Sequence, residues 1–295
     1  MAEIRPFRAW RYNHKYRHRI DEFTSPLFDV VSEKQRQKLY QEPLNSIHLS
    51  VPQGENSAKR AAETLANWKT SQTIVQDSLP GIYPYFQHFT LPGDSREYCR
   101  KGFIAFIRAY DWADGVLLRH ESTMPHSVND RVAILEETKL NVSPTHGLYT
   151  DLQFEIESLL EAGMKNPIYE SEDYQGVRDQ LGVINDVASI RRIVEFMKNK
   201  PVILADGHHR YEGSLNYRKK QLELNPHATG NEAFNYHLMY FTNTEGHDLR
   251  ILPTHRLVRN MATFDPPAFL KSIEQYFTLR QIDNPSEVNE IILGK

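Results

Sequence analysis

A short apolar run, Val202-Ile203-Leu204-Ala205, gives way without a spacer to Asp206-Gly207-His208-His209-Arg210-Tyr211-Glu212. The run has the length and β-branched content of a buried strand. Tyr211 to about Leu224 lacks proline and is rich in helix formers, so it predicts a helix. Two imidazoles, a guanidinium and a carboxylate therefore crowd one strand-to-helix turn. Backbone N–H groups at a helix start attract anions, and an arginine adds a bidentate donor. Gly207 allows close backbone approach to a ligand. The pattern is that of a phosphate site. A plainer reading stands beside it: Asp-Gly is a common turn pair, and Asp206 can cap a helix whose first-turn histidines are merely solvated.

The 295 residues are 40% hydrophobic, enough for one or two domains with a sizeable core. The net charge of −3 provides no global field to recruit nucleic acid or an anionic membrane. The basic, aromatic stretch from Arg5 to Arg19 is too short to imply a nucleic-acid surface. Cys99 is the single cysteine, which excludes an internal disulfide and fits a reducing compartment. No apolar run approaches a transmembrane span, and the first residues lack the apolar core of a secretion signal. The expectation is a cytoplasmic protein with a small-molecule substrate and neither nucleic-acid nor membrane partners; the oligomeric state is left open.

Strand and helix signals alternate irregularly. Ile4–Tyr12, Ile47–Pro52, Gly81–Leu91, Cys99–Tyr110, Gly147–Tyr149, Gly182–Ile184, Val202–Ala205 and Tyr236–Thr242 read as extended. Ser32–Tyr40, Ser57–Lys69, Val128–Leu140, Phe154–Ala162, Val187–Asn199 and Pro266–Phe277 read as helices. The mixture predicts an α/β or α+β fold with a mixed sheet and flanking helices. A single region spanning residues 1–295 is expected, with 163–176 around Pro167 as the place for an internal boundary or a surface loop.

Three further places could carry chemistry. Arg119-His120-Glu121-Ser122-Thr123, followed by Asn129-Asp130-Arg131, falls in a loop after a strand-like block. His120 could act as base or ligand, and Glu121 could hold magnesium or deprotonate a hydroxyl. Both could equally be ordinary surface residues before a helix. Leu252-Pro253-Thr254-His255-Arg256 could close on a phosphate or form a solvated turn. Asp29 sits among apolar neighbours, a candidate buried acid or a cap. Walker A, Gly-x-Gly-x-x-Gly, Gly-x-Ser-x-Gly and His-Glu-x-x-His patterns are absent.

Six elements in order resemble the bacterial and archaeal family catalogued as domain of unknown function 1015. They are Ile4–Tyr12; Pro26-Leu27-Phe28-Asp29-Val30-Val31, which departs from the family's Pro-Pro-Tyr-Asp-Val at Leu27 and Phe28; Pro43–His48; His120-Glu121-x-Thr123 with Asp130-Arg131; Ala205–Glu212; and Leu252–Arg256. Typical members of that family run on past the position of Lys295, so the resemblance implies a shortened chain. The Asp-Gly-His-His-Arg turn is also similar, over about ten residues, to the phosphate-binding turn of the ParB, sulfiredoxin and free-serine-kinase superfamily.

That second resemblance implies phosphoryl transfer between an adenine nucleotide and a small hydroxylated metabolite, serine or O-phosphoserine, with Mg2+ as cofactor. Gly207, His208, His209 and Arg210 would hold phosphate. Asp206 or Glu121 would carry magnesium and the other would act as base, with His120 beside them at the reacting centre orienting substrate. Asp29, Thr123, Arg131 and His255 would orient substrate. The alternatives are a non-enzymatic nucleotide-binding regulator and a metal-dependent hydrolase. Either way, the two histidine clusters are expected to converge on one cleft.

Overall fold

The computed structural model describes residues 2–26, 31–91, 93–173, 176–250 and 263–284. By contact the chain divides into Met1–Leu249 and Arg250–Lys295. The stretch 163–176 thus lies inside the first unit.

The architecture is α+β. The strands are β1 (Ile4–Arg5), β2 (Trp10–Tyr12), β3 (Ile74–Gln76), β4 (Tyr83–Thr90), β5 (Glu97–Arg108), β6 (Leu117–Leu118), β7 (Thr145–Tyr149), β8 (Tyr169–Glu172), β9 (Arg178–Leu181), β10 (Val202–Asp206) and β11 (Tyr236–Asn243). The helices are α1 (Ile20–Phe23), α2 (Glu33–Leu39), α3 (Ile47–Ser50), α4 (Ser57–Thr70), α5 (Pro125–Thr138), α6 (Glu157–Met164), α7 (Val187–Met197), α8 (His208–Leu224) and, in the second unit, α9 (Pro266–Ile273).

One large sheet runs β6-β10-β7-β11-β5-β4-β9-β8, with β1 also paired to β5. The β6–β10 and β7–β11 pairs are parallel and the others antiparallel. Side chains alternate between faces along each strand. One face presents Phe103, Ala105, Ile107, Met239, Phe241, Val202 and Leu204 to the core. Ile156, Leu160 and Met164 around α6, Ile193 and Met197 of α7, and Tyr211 and Leu215 of α8 complete that core. A smaller apolar cluster joins Leu49, Leu65, Trp68 and Ile74, and is linked to the sheet by Leu140 and Val142 between α5 and β7.

Ser32 and Gln35 form a reciprocal cap at the start of α2, as the Ser32-x-x-Gln35 spacing allows. Ile47–Pro52, expected as a strand, forms the short helix α3 instead. The fully buried Asn45 decides this: its side-chain oxygen accepts from the Ile47 N–H at 2.9 Å, while its amide donates to Glu22 and Thr24 carbonyls. Such a bond closes a turn and outweighs a short alternating pattern. Gly182–Ile184 lies just past β9, where Ile184 bridges Ile82. A Cβ on Gly182 would stand 2.4 Å from the Gly163 carbonyl, so glycine is required where the end of α6 crosses.

Candidate functional site

The parallel register Val202↔Leu117 and Ile203↔Leu118 places the chain leaving β6 beside the chain leaving β10. His120 and Glu121 therefore arrive at the start of α8. The His120 and His208 rings meet edge to face at 4.7 Å. Glu121 Oε2 lies 3.6 Å from His208 Nδ1, and its Oε1 lies 3.8 Å from His120 Nε2. Of the two clusters, these three side chains come together.

Gly207 precedes α8 with φ of 93°, a left-handed conformation that non-glycine residues rarely adopt. A Cβ there would also meet Thr145 Cγ2 at 2.6 Å. No side chain caps the helix start. Asp206 does not act as the cap that the plainer reading expected. Its carboxylate instead takes the Arg210 guanidinium at 2.6 Å. Arg210 is 5% exposed and also donates to Ser143 Oγ at 3.3 Å and to the Pro144 carbonyl. The motif arginine thus pins α8 to the loop entering β7, with its charge balanced by Asp206.

His209 is likewise engaged. Its Nε2 accepts the Met124 N–H at 3.1 Å, satisfying the backbone at the start of α5. Glu212 accepts from the Trp112 indole at 2.6 Å, and Arg119 lies over the same indole at 5.0 Å. Tyr211 is fully buried and donates to the Tyr110 carbonyl.

His208 differs from these neighbours. Its side chain is 2% exposed, and its buried Nε2 has no hydrogen-bond partner. Burial holds its pKa below the ordinary histidine value, with Glu121 opposing that shift. Leaving such an atom unsatisfied costs on the order of 1–3 kcal/mol.

Arg131, expected to orient substrate, donates to the Ser50 carbonyl at 2.8 Å and pairs with Asp130, tying α5 to α3. Its Cβ lies 3.0 Å from the position of a Cβ on Gly213, the close approach of α5 to α8. Thr123 lies in the loop from β6 to α5, beside Met124. Asp29 and His255, with the rest of Leu252–Arg256, lie outside the described residues.

Two histidines escaped the sequence reading. His237 is buried beneath α8, bonded to Ser214 Oγ at 2.7 Å and Thr145 Oγ1 at 3.0 Å. Burial, aided by the Arg210 charge, lowers its pKa to about 3. His146 bonds Thr242 Oγ1 at 2.7 Å and stacks on Tyr240. Burial, then Arg100 and Arg210, lower it to about 3. Histidine inside an apolar strand was the available signal for both.

Among the described residues, no group of three or more His, Cys, Asp or Glu side chains is placed to hold a metal ion. None of their helices is long and apolar enough to cross a membrane.

A family profile described as a protein of unknown function (DUF1015) matches residues 4–294. The chain belongs to the DUF1015 family. Neither a curated protein nor a solved structure matches it. The most specific DUF1015 element quoted above, Ala205–Glu212, coincides with the β10–α8 turn.

Proposed function

We propose that this DUF1015 protein binds the phosphates of an adenine nucleotide at the start of α8 and transfers a phosphoryl group to a small hydroxylated metabolite. The observation that carries the reading is His208 Nε2, a buried polar atom without a partner at the uncapped start of a long helix. A phosphate oxygen there would satisfy that nitrogen, provided Nε2 carries the proton, and would also meet the first backbone N–H groups and the positive end of the helix.

The roles follow from the contacts. Gly207 keeps the turn open, and His208 and His120 face the phosphate. Arg210 and His209 build the turn, the first by holding the loop before β7 and the second by satisfying the start of α5. Glu121, with 62% of its side chain exposed, is the acid able to receive the proton of an acceptor hydroxyl. Asp206 is occupied by Arg210, which leaves Glu121 to act as base, while Mg2+ would take its ligands from phosphates and water. Bound in that way, the ion would neutralise charge on the moving phosphoryl group. Localisation in the cytoplasm and a small-molecule partner belong to the same reading.

The test combines binding with turnover. Adenine nucleotide with magnesium should raise the melting temperature of the wild type, since a ligand of the folded state stabilises it by mass action. Glu121→Gln should keep that shift and lose turnover by about a hundredfold or more, followed by phosphorus NMR with serine as acceptor. Nucleotide binding without turnover on any hydroxylated acceptor would favour the non-enzymatic regulator. An absent melting shift would remove the phosphate site itself.

A further inference from the structure

The chain between β5 and β6 is strapped along α8. Arg218 Nη1 donates to the Ala109 carbonyl at 2.9 Å, the Tyr211 hydroxyl to the Tyr110 carbonyl at 2.8 Å, and the Trp112 indole N–H to Glu212 Oε2 at 2.6 Å. Asp111 and Asp114 cap each other's backbone and close the single turn Trp112–Asp114. The indole also packs on the fully buried Tyr211 ring, with 5.0 Å between centroids. Trp112 is therefore held from two sides over the second turn of α8.

Arg119 lies over that indole, its Cζ 5.0 Å from the ring centroid. Arg5, Arg11, Arg19 and Arg96 also lie over aromatic rings, and each has a carboxylate oxygen within 2.7 Å. Ion pairs fix those four. Arg119 differs: among the described residues it has no carboxylate within ion-pair distance and no hydrogen-bond acceptor, and it is exposed. The indole holds its guanidinium, and the side away from Trp112 is open.

His208 and Glu212 lie four residues apart on one face of α8, one turn or about 5.4 Å along the axis. Glu121 and the His120 ring reach His208, while Arg119, the residue before His120, reaches the Trp112–Glu212 contact. The guanidinium thus stands one turn along α8 from the nitrogen assigned to phosphate. A ribose fills an interval of that size between a phosphate and its base. Charge decides which part of a nucleotide belongs there. The carboxylates of Glu121 and Glu212 stand at the same two turns, so a further phosphate gains little from Arg119. A flat, neutral base gains from a guanidinium backed by an aromatic ring through stacking, which needs no net charge.

We propose that Arg119, backed by Trp112, is the platform on which the adenine base of the nucleotide stacks. The proposal rests on the nucleotide reading above and assigns the part of the ligand that the phosphate contacts leave unread. The start of α8 holds phosphate, and Arg119 separates a nucleotide from an inorganic polyphosphate.

The experiment is calorimetric titration of the full chain, with magnesium, against ATP and against inorganic tripolyphosphate. The proteins compared are the wild type, Arg119→Ala, Arg119→Lys and His208→Leu. The wild type should bind ATP about tenfold or more tighter than tripolyphosphate, the scale of one stacked base. Arg119→Ala should bring ATP down to the tripolyphosphate affinity and leave tripolyphosphate unchanged, which also shows that the variant is folded. Arg119→Lys keeps the charge but not the plane and should behave nearly the same. Equal losses of ATP and tripolyphosphate in Arg119→Ala, both restored in Arg119→Lys, would make Arg119 a phosphate cation and overturn the proposal. So would a wild type that binds the two ligands alike, or an Arg119→Ala variant that binds ATP normally; in each of these cases the phosphate site stands. ATP binding lost in Arg119→Ala but kept in His208→Leu leaves the base platform standing and removes the phosphate site. A wild type that binds neither ligand removes both.

Discussion

His208, the first residue of α8, and His237, on β11 beneath that helix, are both buried imidazoles, 3% and 1% exposed, yet they meet opposite fates. His237 has a hydroxyl on each ring nitrogen, Ser214 on one and Thr145 on the other. His208 has an exposed carboxylate 3.6 Å from Nδ1 and nothing on Nε2. Burial alone therefore does not separate a histidine whose ring nitrogens are both bonded from one left with an open nitrogen. The accounting of hydrogen bonds does, because a buried polar atom is normally paired.

The contrast is open to attack at several points. His237→Ala should produce the largest effect. It leaves two buried hydroxyls unpaired and a void under α8, and should cost about 3 kcal/mol or more in urea denaturation. A loss below about 1 kcal/mol would show that the Ser214–His237–Thr145 chain does not hold α8 to the sheet.

Gly207→Ala comes next, at about 2 kcal/mol, from the left-handed backbone and the contact with Thr145. It should also weaken nucleotide binding, since the turn must shift. A variant of wild-type stability would mean that the turn relaxes freely around a Cβ at residue 207.

The pH dependence of stability is the third test. Burial holds His237 and His146 at a pKa of about 3 in the folded chain, against the ordinary histidine value of about 6.5 in the unfolded one. Between these values the unfolded chain binds more protons, so stability rises with pH. These contributions are fully present above pH 6.5 and are lost as pH falls towards 3. The slope should approach about 1.4 kcal/mol per pH unit for each histidine. His237→Gln should lower the slope by about one proton relative to wild type. An unchanged slope would place His237 in contact with water.

His208→Leu should have the smallest effect on stability, within about 1 kcal/mol and possible in either sign, because it removes a polar atom that has no partner. Nucleotide stabilisation should nevertheless disappear. A large loss of stability with binding retained would reverse the assignment of the two histidines.

The strand-to-helix passage at Val202–Leu224 was legible because an apolar run, a glycine and a proline-free helix former follow one another in sequence, although Ile203 of that run is exposed rather than buried. Lys69 and Asn199 were expected at helix ends that fall at Thr70 and Met197, an ordinary margin for such boundaries. The short β8 and β9 were not legible in that way. Glu170, Glu172, Arg178 and Gln180 carry no apolar alternation, and only the edge pairing to β4 makes them strands. At the site, the fold gives several residues partners that the sequence did not suggest. Arg210 and His209 suggest phosphate ligands in sequence, but Pro144 and Met124 claim them in the fold. Asp206 reads as a cap and serves as a counter-ion.

The sequence by itself determined the turn after β10, through the positive φ that Gly207 supplies, and membership of the DUF1015 family through residues 4–294. Both are local or ordered along the chain, so they survive without coordinates. Tertiary structure decided which strands are neighbours. The β6–β10 register brings Glu121 to His208, and the β7-β11-β5-β4 order sets His146, Tyr240 and Tyr85 on one face. Strand neighbours are chosen by burial of the whole sheet and not by any one segment. That is why the ring of Tyr240, lying across Gly102, left no mark in the linear sequence.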